Sequence, residues 1–212
     1  ERTILVKHQE YPYSLPDIGE PSWLYLSSLG ENSLPYHEEI TKYLETHPDI
    51  KLAFQPGTFQ IKLGAEKFKN LYTHIEIFFC NKEEAQKILD SKDTDIKKLL
   101  KAMHELGPKI VVITDGPNGA YAYDSVSGDM FSVPMYPDPK DPVDRTGAGD
   151  AFASTVTVAL ASGEPLEKAL AWGPINSMSV VQGIGAQKGL LTREQLEKYL
   201  ADAPASYKVE KL

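Results

Sequence analysis

Residues 143–152 read VDRTGAGDAF, and this stretch decides the fold and the function that we predict for the chain. The small residues Gly147, Ala148 and Gly149 precede Asp150, and an apolar stretch compatible with a helix follows. A glycine-rich turn that leads into a helix exposes backbone N–H groups that no side chain covers. These donors and the positive end of the helix attract anions, above all phosphate. The stretch therefore predicts an anion hole at the start of a helix.

The carboxylate of Asp150 has two interpretations. An acid in the first turn of a helix complements the helix dipole and stabilises the helix by about 0.3–1 kcal/mol. Beside a bound phosphoryl group, the same carboxylate can accept the proton of an attacking alcohol. The Walker phosphate loop is excluded, because it ends in Gly-Lys-Ser or Gly-Lys-Thr and this turn has no lysine. An anion hole with an acid beside it predicts phosphoryl transfer to a hydroxyl group.

The same stretch resembles the C-terminal signature of the PfkB/ribokinase-like carbohydrate kinases, usually written D-T-x-G-A-G-D. The resemblance implies that Asp150 is the general base and that the backbone of residues 147–150 is the anion hole. Asp144 and Thr146 are present together with the whole GAGD segment. Arg145 departs from the signature, because the family commonly has threonine at this position.

The resemblance implies ATP-dependent phosphorylation of a hydroxyl of a small carbohydrate, with ATP and Mg²⁺ as cofactors. Two alternatives stay open. A nucleoside is the acceptor in some kinases of the same fold, and a catalytically inactive, nucleotide-binding relative or fragment would keep the same motifs. The expected partner is a small-molecule sugar or nucleoside, and the sequence does not identify which hydroxyl receives the phosphate.

Asn81 and Glu84 form N-x-x-E directly after a predicted strand. In isolation this pattern is typical of a capping box at a helix start. The same two residues match the N-x-x-E motif of the ribokinase-like kinases, which the resemblance ties to Mg²⁺ and to phosphate placement. Mg²⁺ prefers oxygen ligands and keeps several waters, which an amide and a carboxylate suit. The two interpretations are compatible.

Two further segments are candidates for the nucleotide site. Thr114, Gly116 and Gly119 belong to a turn after a predicted strand, and a simple β-turn explains these residue types equally well. The resemblance places this turn beside the sugar and phosphates of the nucleotide. It also implies that Asn176 contacts the base edge, and that Gly173 allows the close approach.

A monovalent cation site, K⁺ in particular, is a further expectation from the resemblance, with ligands that are mostly backbone carbonyls. Close helix packing and a helix C-cap are the alternative explanation for the small residues in the set. The candidate residues are Asp144, Thr146, Val180, Gly183, Gly185 and Gly189.

Strands alternate with helices along the chain, which predicts a mostly parallel sheet with helices on both faces. A hairpin over 120–136 adds an antiparallel part toward one edge. The resemblance implies the ribokinase-like three-layer α/β/α fold. The predicted strands cover 2–7, 23–29, 51–57, 74–80, 109–114, 120–124 and 130–136. The predicted helices cover 35–47, 81–89, 94–106, the stretch after the signature to about 161, 165–182 and 192–201, and 58–70 is a short helix or irregular.

The composition narrows the classes of partner. The net charge of −8 argues against a broad nucleic-acid-binding surface, which needs clustered lysine and arginine. The single cysteine, Cys80, forms no intramolecular disulfide, which favours a reducing compartment. No apolar run approaches the length of a membrane span, and no signal-like segment opens the chain. We expect a cytoplasmic protein with no membrane or nucleic-acid partner.

The 212 residues are expected to form a single ribokinase-like domain. Relatives usually begin with a first strand, a Gly-Gly substrate motif and a small lid sheet, and none of these precedes ERTILV. We therefore expect the N-terminal substrate and lid portion to be missing, and the chain alone to turn over poorly. The resemblance implies a homodimer of the full-length protein, formed through the lid.

Overall fold

The computed structural model describes residues 10–212. The strands of these residues form one sheet. Its strands lie side by side in chain order, and the predicted strand at 2–7 lies outside the described residues. The strands are β1 (Trp23–Leu26), β2 (Lys51–Phe54), β3 (Ile75–Asn81), β4 (Ile110–Thr114), β5 (Ala120–Asp124), β6 (Met130–Val133) and β7 (Glu210–Lys211). The helices are α1 (Leu34–Thr46), α2 (Thr58–Leu63), α3 (Lys69–Tyr72), α4 (Lys82–Ile88), α5 (Ile96–His104), α6 (Ala148–Ala161), α7 (Leu166–Val180) and α8 (Arg193–Ala201).

Strands β1 to β4 are parallel to one another, and helices connect each of them to the next. From β4 onward the pairing is antiparallel, through the hairpin β5–β6 to the two-residue strand β7. The predicted mostly parallel sheet with an antiparallel hairpin toward one edge is confirmed. Strand β7 was not predicted, because two exposed residues carry no periodicity.

Alternate side chains of each strand face opposite helical layers, as the two-residue period of a strand requires. On β3, Ile77 and Phe79 pack against α6, α7 and α8, whereas Phe78 and Cys80 pack against the layer of α1, α3 and α5. Phe78 is fully buried, and a buried side chain of this size contributes about 1.5–3 kcal/mol. Two apolar cores, one on each face, confirm the three-layer α/β/α fold.

Prolines account for two of the differences between predicted and observed strand ends. The predicted strand at 51–57 ends at Phe54, two residues before Pro56, and the one at 130–136 ends at Val133, before Pro134. Proline has no N–H to donate to a ladder. In the segment 58–70, α2 ends at Gly64, whose φ of +87° breaks the helix before a 3₁₀ turn and α3.

Helices α6 and α7 pack closely, and Gly173 makes the contact possible. A Cβ at Gly173 would lie 2.7 Å from the ring of Phe152 and 3.1 Å from Val156. This contact fixes the first turn of α6 over the sheet. Among the helices of residues 10–212, none is long and apolar enough to cross a membrane.

Candidate active site

The carboxyl ends of the parallel strands bring polar residues together at one edge of the sheet. Gln55 follows β2, Asn81 ends β3, and Thr114 ends β4. Asn81 and Thr114 are register partners across β3 and β4. Ligands of open α/β sheets bind at this edge, outside the carboxyl ends of the strands.

A cleft of about 770 Å³ lies at this edge, and the start of α6 forms one of its walls. Most of the residues that the sequence singled out share this cleft. They are Asn81, Glu84, Thr114, Gly116, Asp144, Gly147, Ala148, Gly149 and Asp150, joined by Gln55, Phe79, Cys80, Val143, Arg145, Phe152 and Ala153. Thr146 is absent from the lining of this cleft.

Gly147 is the N-cap of α6 and has a φ of +84°, which residues with a Cβ rarely adopt. A Cβ there would also lie 2.5 Å from the Cβ of Ala186. The first intrahelical bond runs from the N–H of Ala151 to the carbonyl of Gly147, at 2.8 Å. The amides of Gly149 and Asp150 precede that bond, so they have no acceptor inside the helix. The helix start therefore has the donors and the dipole that an anion needs.

Asp150 is exposed, and a side chain from the neighbouring strand holds its carboxylate. The Nε2 of Gln55 donates to Oδ1 of Asp150 at 3.2 Å, and the Oε1 of Gln55 accepts from the hydroxyl of Tyr25. Burial, and secondarily the charge of Asp150, raise the pKa of Tyr25 well above its usual value. The phenol therefore stays protonated as a donor. Gln55 was not predicted as a site residue, although a polar residue directly after a buried strand was a usable signal.

Asn81 and Glu84 form a reciprocal capping box at the start of α4. The N–H of Glu84 donates to Oδ1 of Asn81 at 2.9 Å, and the N–H of Asn81 donates to Oε2 of Glu84 at 2.8 Å. Burial raises the pKa of Glu84, and the hydrogen bond from the amide of Asn81 acts in the opposite direction. Both residues also line the cleft, so capping and a role in binding are compatible here.

The donor set of the cleft fits a hydrated magnesium ion. Residues 10–212 contain no group of three or more His, Cys, Asp or Glu side chains that could hold a metal ion. Mg²⁺ commonly keeps several waters and binds one or two carboxylates together with substrate phosphates. The carboxylate of Glu84, which lines the cleft together with the start of α6, meets that requirement.

A smaller cavity of about 190 Å³ adjoins the cleft. Its apolar walls include Met135, Phe152, Met178 and Val181, and its polar groups include Ser177. The two spaces share the lining residues Thr114, Gly116, Arg145, Ala148, Gly149 and Phe152. A flat apolar group in the smaller cavity could therefore be covalently continuous with an anionic group at the start of α6.

The turn after β4 lines the smaller cavity, and a salt bridge fixes this turn. Lys82 Nζ lies 3.1 Å from Oδ2 of Asp115, and Asn118 Nδ2 donates to the same oxygen at 3.1 Å. Gly119 has a φ of +88°, and a Cβ there would lie 2.2 Å from the carbonyl oxygen of Val133. Only glycine allows this approach, so the fold itself requires glycine at position 119. Gly119 also lines the smaller cavity.

The structure does not bring Asn176 or Gly173 into either cavity. Asn176 is buried, its Nδ2 donates to Oγ1 of Thr155 at 2.7 Å, and its Oδ1 accepts from the N–H of Leu191 at 2.9 Å. Both ends of the amide are therefore used to join α6, α7 and the loop before α8. The neighbours of Asn176 on α7, Pro174, Ser177 and Met178, line the smaller cavity instead.

Asp144 connects the signature loop to the glycine-rich turn over 183–189. Its Oδ1 accepts from the N–H of Thr146 at 2.9 Å, and its Oδ2 accepts from the N–H of Gly185 at 3.1 Å. The N–H groups of Val143 and Asp144 donate to the carbonyl of Val181. A Cβ at Gly189 would lie 2.3 Å from the carbonyl oxygen of Ser179. The residues predicted for a monovalent cation thus lie on segments that touch. Close packing explains Gly189, whereas Gly185 has a φ of +89° and no atom within 4 Å of a Cβ placed there.

Comparison with known proteins agrees with this architecture. Residues 6–193 match the pfkB family carbohydrate kinase profile. The chain is 30% identical to the ribokinase of Bacillus subtilis over 164 residues, which is 77% of this chain and 50% of that protein. It is 32% identical to the cytidine kinase of Thermococcus kodakarensis over 117 residues, 55% of this chain and 41% of that protein.

The solved structure of Arabidopsis thaliana ribokinase complexed with ribose and ATP has the same fold. It superposes with a TM-score of 0.70 at 20% identity, over 84% of this chain and 55% of that one. The α/β/α fold with a glycine-rich helix start at the carboxyl edge of the sheet is the fold of a class of small-molecule kinases. The chain belongs to the pfkB family of carbohydrate kinases. It spans about half the length of the curated relatives that it matches.

Proposed function

We propose that the chain catalyses ATP-dependent phosphoryl transfer to a hydroxyl of a small carbohydrate. The observation that carries the proposal is the position of the Asp150 carboxylate, in the first turn of α6, in the same cleft as Asn81 and Glu84. An acid beside free helical amides supports both deprotonation of an alcohol and stabilisation of the charge on a phosphoryl group.

In the proposed mechanism, Asp150 accepts the proton of the acceptor hydroxyl as its oxygen attacks the γ-phosphorus of ATP. The bond between the γ-phosphorus and the bridging oxygen of ADP breaks, and ADP leaves. The amides at the start of α6 donate to the oxygens of the transferring group, where negative charge is concentrated. The hydrogen bond from Gln55 holds the Asp150 carboxylate in place for the proton transfer.

Mg²⁺ would be held by Glu84 and Asn81, partly through water molecules. The ion supplies charge neutralisation on the nucleotide phosphates. Burial raises the pKa of Glu84, and a cation beside the carboxylate would stabilise its charged form. This contribution of the chain can be measured as Mg²⁺-dependent nucleotide affinity.

The adenosine part of ATP is proposed to occupy the 190 Å³ cavity, between the turn after β4 and helix α7. The apolar side chains Met135, Met178 and Val181 support binding of a flat base there. Thr114, Gly116 and Gly119 are proposed to lie beside the ribose and the phosphates. As a secondary proposal, K⁺ binds near the start of α6, where Asp144 contacts the turn over 183–189. The hydrogen bond from the N–H of Gly185 to Asp144 supports this site.

The acceptor is proposed to be a sugar, with a nucleoside as the alternative, because relatives of both kinds share the fold. The B. subtilis relative is a ribokinase and the T. kodakarensis relative a cytidine kinase, at similar identity. The polar side chains of Gln55, Asn81 and Asp150 line the described cleft and suit a hydroxylated molecule. A single ribokinase-like domain over the 212 residues remains our proposal for the domain organisation.

The proposal is tested by two measurements on the 212-residue protein. Isothermal titration with Mg²⁺-ATP is expected to show saturable binding that weakens without Mg²⁺. A panel of sugars and nucleosides, with transfer of the labelled γ-phosphate as the readout, identifies the acceptor. If the reading frame extends upstream of Glu1, the longer product is assayed on the same panel. Failure to bind Mg²⁺-ATP contradicts the proposal, and binding without transfer to any acceptor, by both the 212-residue chain and the longer product, supports the inactive relative instead.

A further inference from the structure

Arg145 lies where the two cavities meet. It lines the 770 Å³ cleft that contains Asp150 and also the 190 Å³ cavity under the turn after β4. Among the described residues that line either space, it is the only lysine, arginine or histidine. Four acids line the same two spaces, namely Glu84, Asp138, Asp144 and Asp150.

The backbone of Arg145 is held in position. Its carbonyl oxygen accepts from the N–H of Ala148 at 3.4 Å, and the preceding amide, that of Asp144, donates to the carbonyl of Val181 at 3.2 Å. Asp144, which precedes Arg145, accepts hydrogen bonds from the N–H groups of Thr146 and Gly185. The Cα of Arg145 therefore cannot move without disturbing that loop. The side chain therefore starts from a fixed point on the wall of the cleft.

The guanidinium of Arg145 is available to a ligand. It is exposed, and within residues 10–212 its side chain forms no hydrogen bond or ion pair. The neighbouring carboxylates already have partners: Asp144 accepts from two backbone amides, and Asp150 accepts from Gln55. Among the described residues this cation has no partner, although four acids line the same spaces, so it is placed to bind an anion from outside the chain.

We propose that Arg145 binds the phosphates of the nucleotide that lie between the nucleoside and the transferred group. This inference rests on the proposed function, because it takes the base in the smaller cavity and the γ-phosphate beside Asp150. The junction of the two cavities is then the place of the α- and β-phosphates. A planar guanidinium binds two phosphate oxygens at once, a geometry that threonine cannot provide. Arginine here offsets the repulsion between four carboxylates and an anionic nucleotide.

The test is the affinity of the 212-residue protein for adenosine, ADP and ATP, each with Mg²⁺, by isothermal titration calorimetry. Arg145→Gln and Arg145→Thr are expected to weaken ATP and ADP binding by about tenfold or more, equivalent to about 1.4 kcal/mol. Adenosine affinity is expected to stay the same. Arg145→Lys is expected to retain part of the affinity as a point charge. Lys92→Gln removes an exposed cation that lines neither cavity, and controls for net charge.

Four results would overturn the inference. Unchanged ATP and ADP affinity in Arg145→Gln and Arg145→Thr removes Arg145 from the nucleotide site and leaves the proposed function intact. An equal loss of adenosine affinity shows a structural effect, which thermal unfolding of the same variants checks. A loss for ATP but not for ADP places the guanidinium at the γ-phosphate instead. If the wild-type chain binds no adenine nucleotide, the proposed function fails and the Arg145 assignment fails with it.

Discussion

The Nε2 of Gln55 donates a hydrogen bond to Oδ1 of Asp150 at 3.2 Å, across the gap between the end of β2 and the start of α6. The two residues are 95 positions apart in the chain, so only the folded sheet brings them together. The hydroxyl of Tyr25 on β1 donates to Oε1 of the same amide. This second bond orients the amide so that its NH₂ group faces the carboxylate, and Gln55 thereby acts as a positioning residue for Asp150.

Gln55→Leu is expected to lower turnover about tenfold with little change in the KM for ATP. The substitution removes one hydrogen bond to a charged group, worth roughly 1.5 kcal/mol, from the proposed base and not from the nucleotide. Tyr25→Phe is also expected to lower turnover, but by a smaller factor, because the phenol acts only through Gln55. Steady-state kinetics on the acceptor found in the panel checks this, and an unchanged kcat in Gln55→Leu would be inconsistent with a positioning role.

Gly147→Ala and Gly149→Ala form a matched pair at the start of α6. Gly147 has a φ of +84° and no room for a Cβ beside Ala186, so alanine is expected to cost roughly 1–3 kcal/mol in the free energy of unfolding. Gly149 lies inside the helix, and its nearest contact for a Cβ is Gln55 Nε2 at 3.9 Å. There, alanine is expected to leave stability within about 1 kcal/mol of the wild type or to raise it.

The pair also separates folding from binding. The new methyl group of Gly149→Ala projects toward the cleft, where the phosphoryl group is proposed to lie, so Mg²⁺-ATP affinity is expected to fall without loss of stability. Urea unfolding and calorimetric titration of the two variants measure both quantities. Equal stability of Gly147→Ala and the wild type would mean that the turn over 183–189 is not packed against Gly147 in solution.

The buried side chain of His37 is expected to make the free energy of unfolding depend on pH. Burial between Phe54 and Phe68 lowers its pKa, and its Nδ1 bonds to the carbonyl of Ser33 at 2.7 Å, whereas its Nε2 is buried with no partner among the described residues. Because the folded pKa lies below the unfolded value, the unfolded state binds more protons. The stabilisation is therefore complete above about pH 6.5 and is lost as the pH falls further.

The measurement is the free energy of unfolding of the wild type and of His37→Phe at several pH values from about 7.5 down to about 5.5. The wild type is expected to lose more stability than the variant across this range, because phenylalanine keeps the ring contacts and has no proton to bind. Parallel pH profiles of the two proteins would show that His37 becomes charged without cost in the folded state.

Much of the fold could be predicted because its local signals agree with one another. The strand at 74–80 and the helix after Asn81 were predicted to within a residue, since a run of buried apolar side chains meets a capping pair there. The start of α6 was predicted from a glycine-rich turn, and within it a positive φ and a close contact require glycine at Gly147. These features depend on residues close in sequence, and so the sequence shows them.

The features that could not be predicted depend on contacts between distant segments. Gln55 reaches Asp150, and Lys82 reaches Asp115, only after the strands are ordered in the sheet. Asn176 was expected at the nucleotide base, yet the fold uses both ends of its amide for Thr155 and Leu191. A family pattern gives the residue type at a position, whereas the direction of a buried side chain depends on its neighbours.

Asp150→Asn is the most direct test of the proposal that Asp150 is the general base. Asparagine keeps the size of the side chain and an oxygen that can accept from Gln55, but it cannot take a proton from an alcohol. The comparison is made on the form of the protein that phosphorylates an acceptor, with Asp141→Asn as the control, since Asp141 is exposed and lines neither cavity. We predict that kcat of Asp150→Asn falls by at least about a hundredfold while Mg²⁺-ATP affinity stays close to that of the wild type. Near-normal turnover by Asp150→Asn would contradict the assignment of Asp150 as the general base.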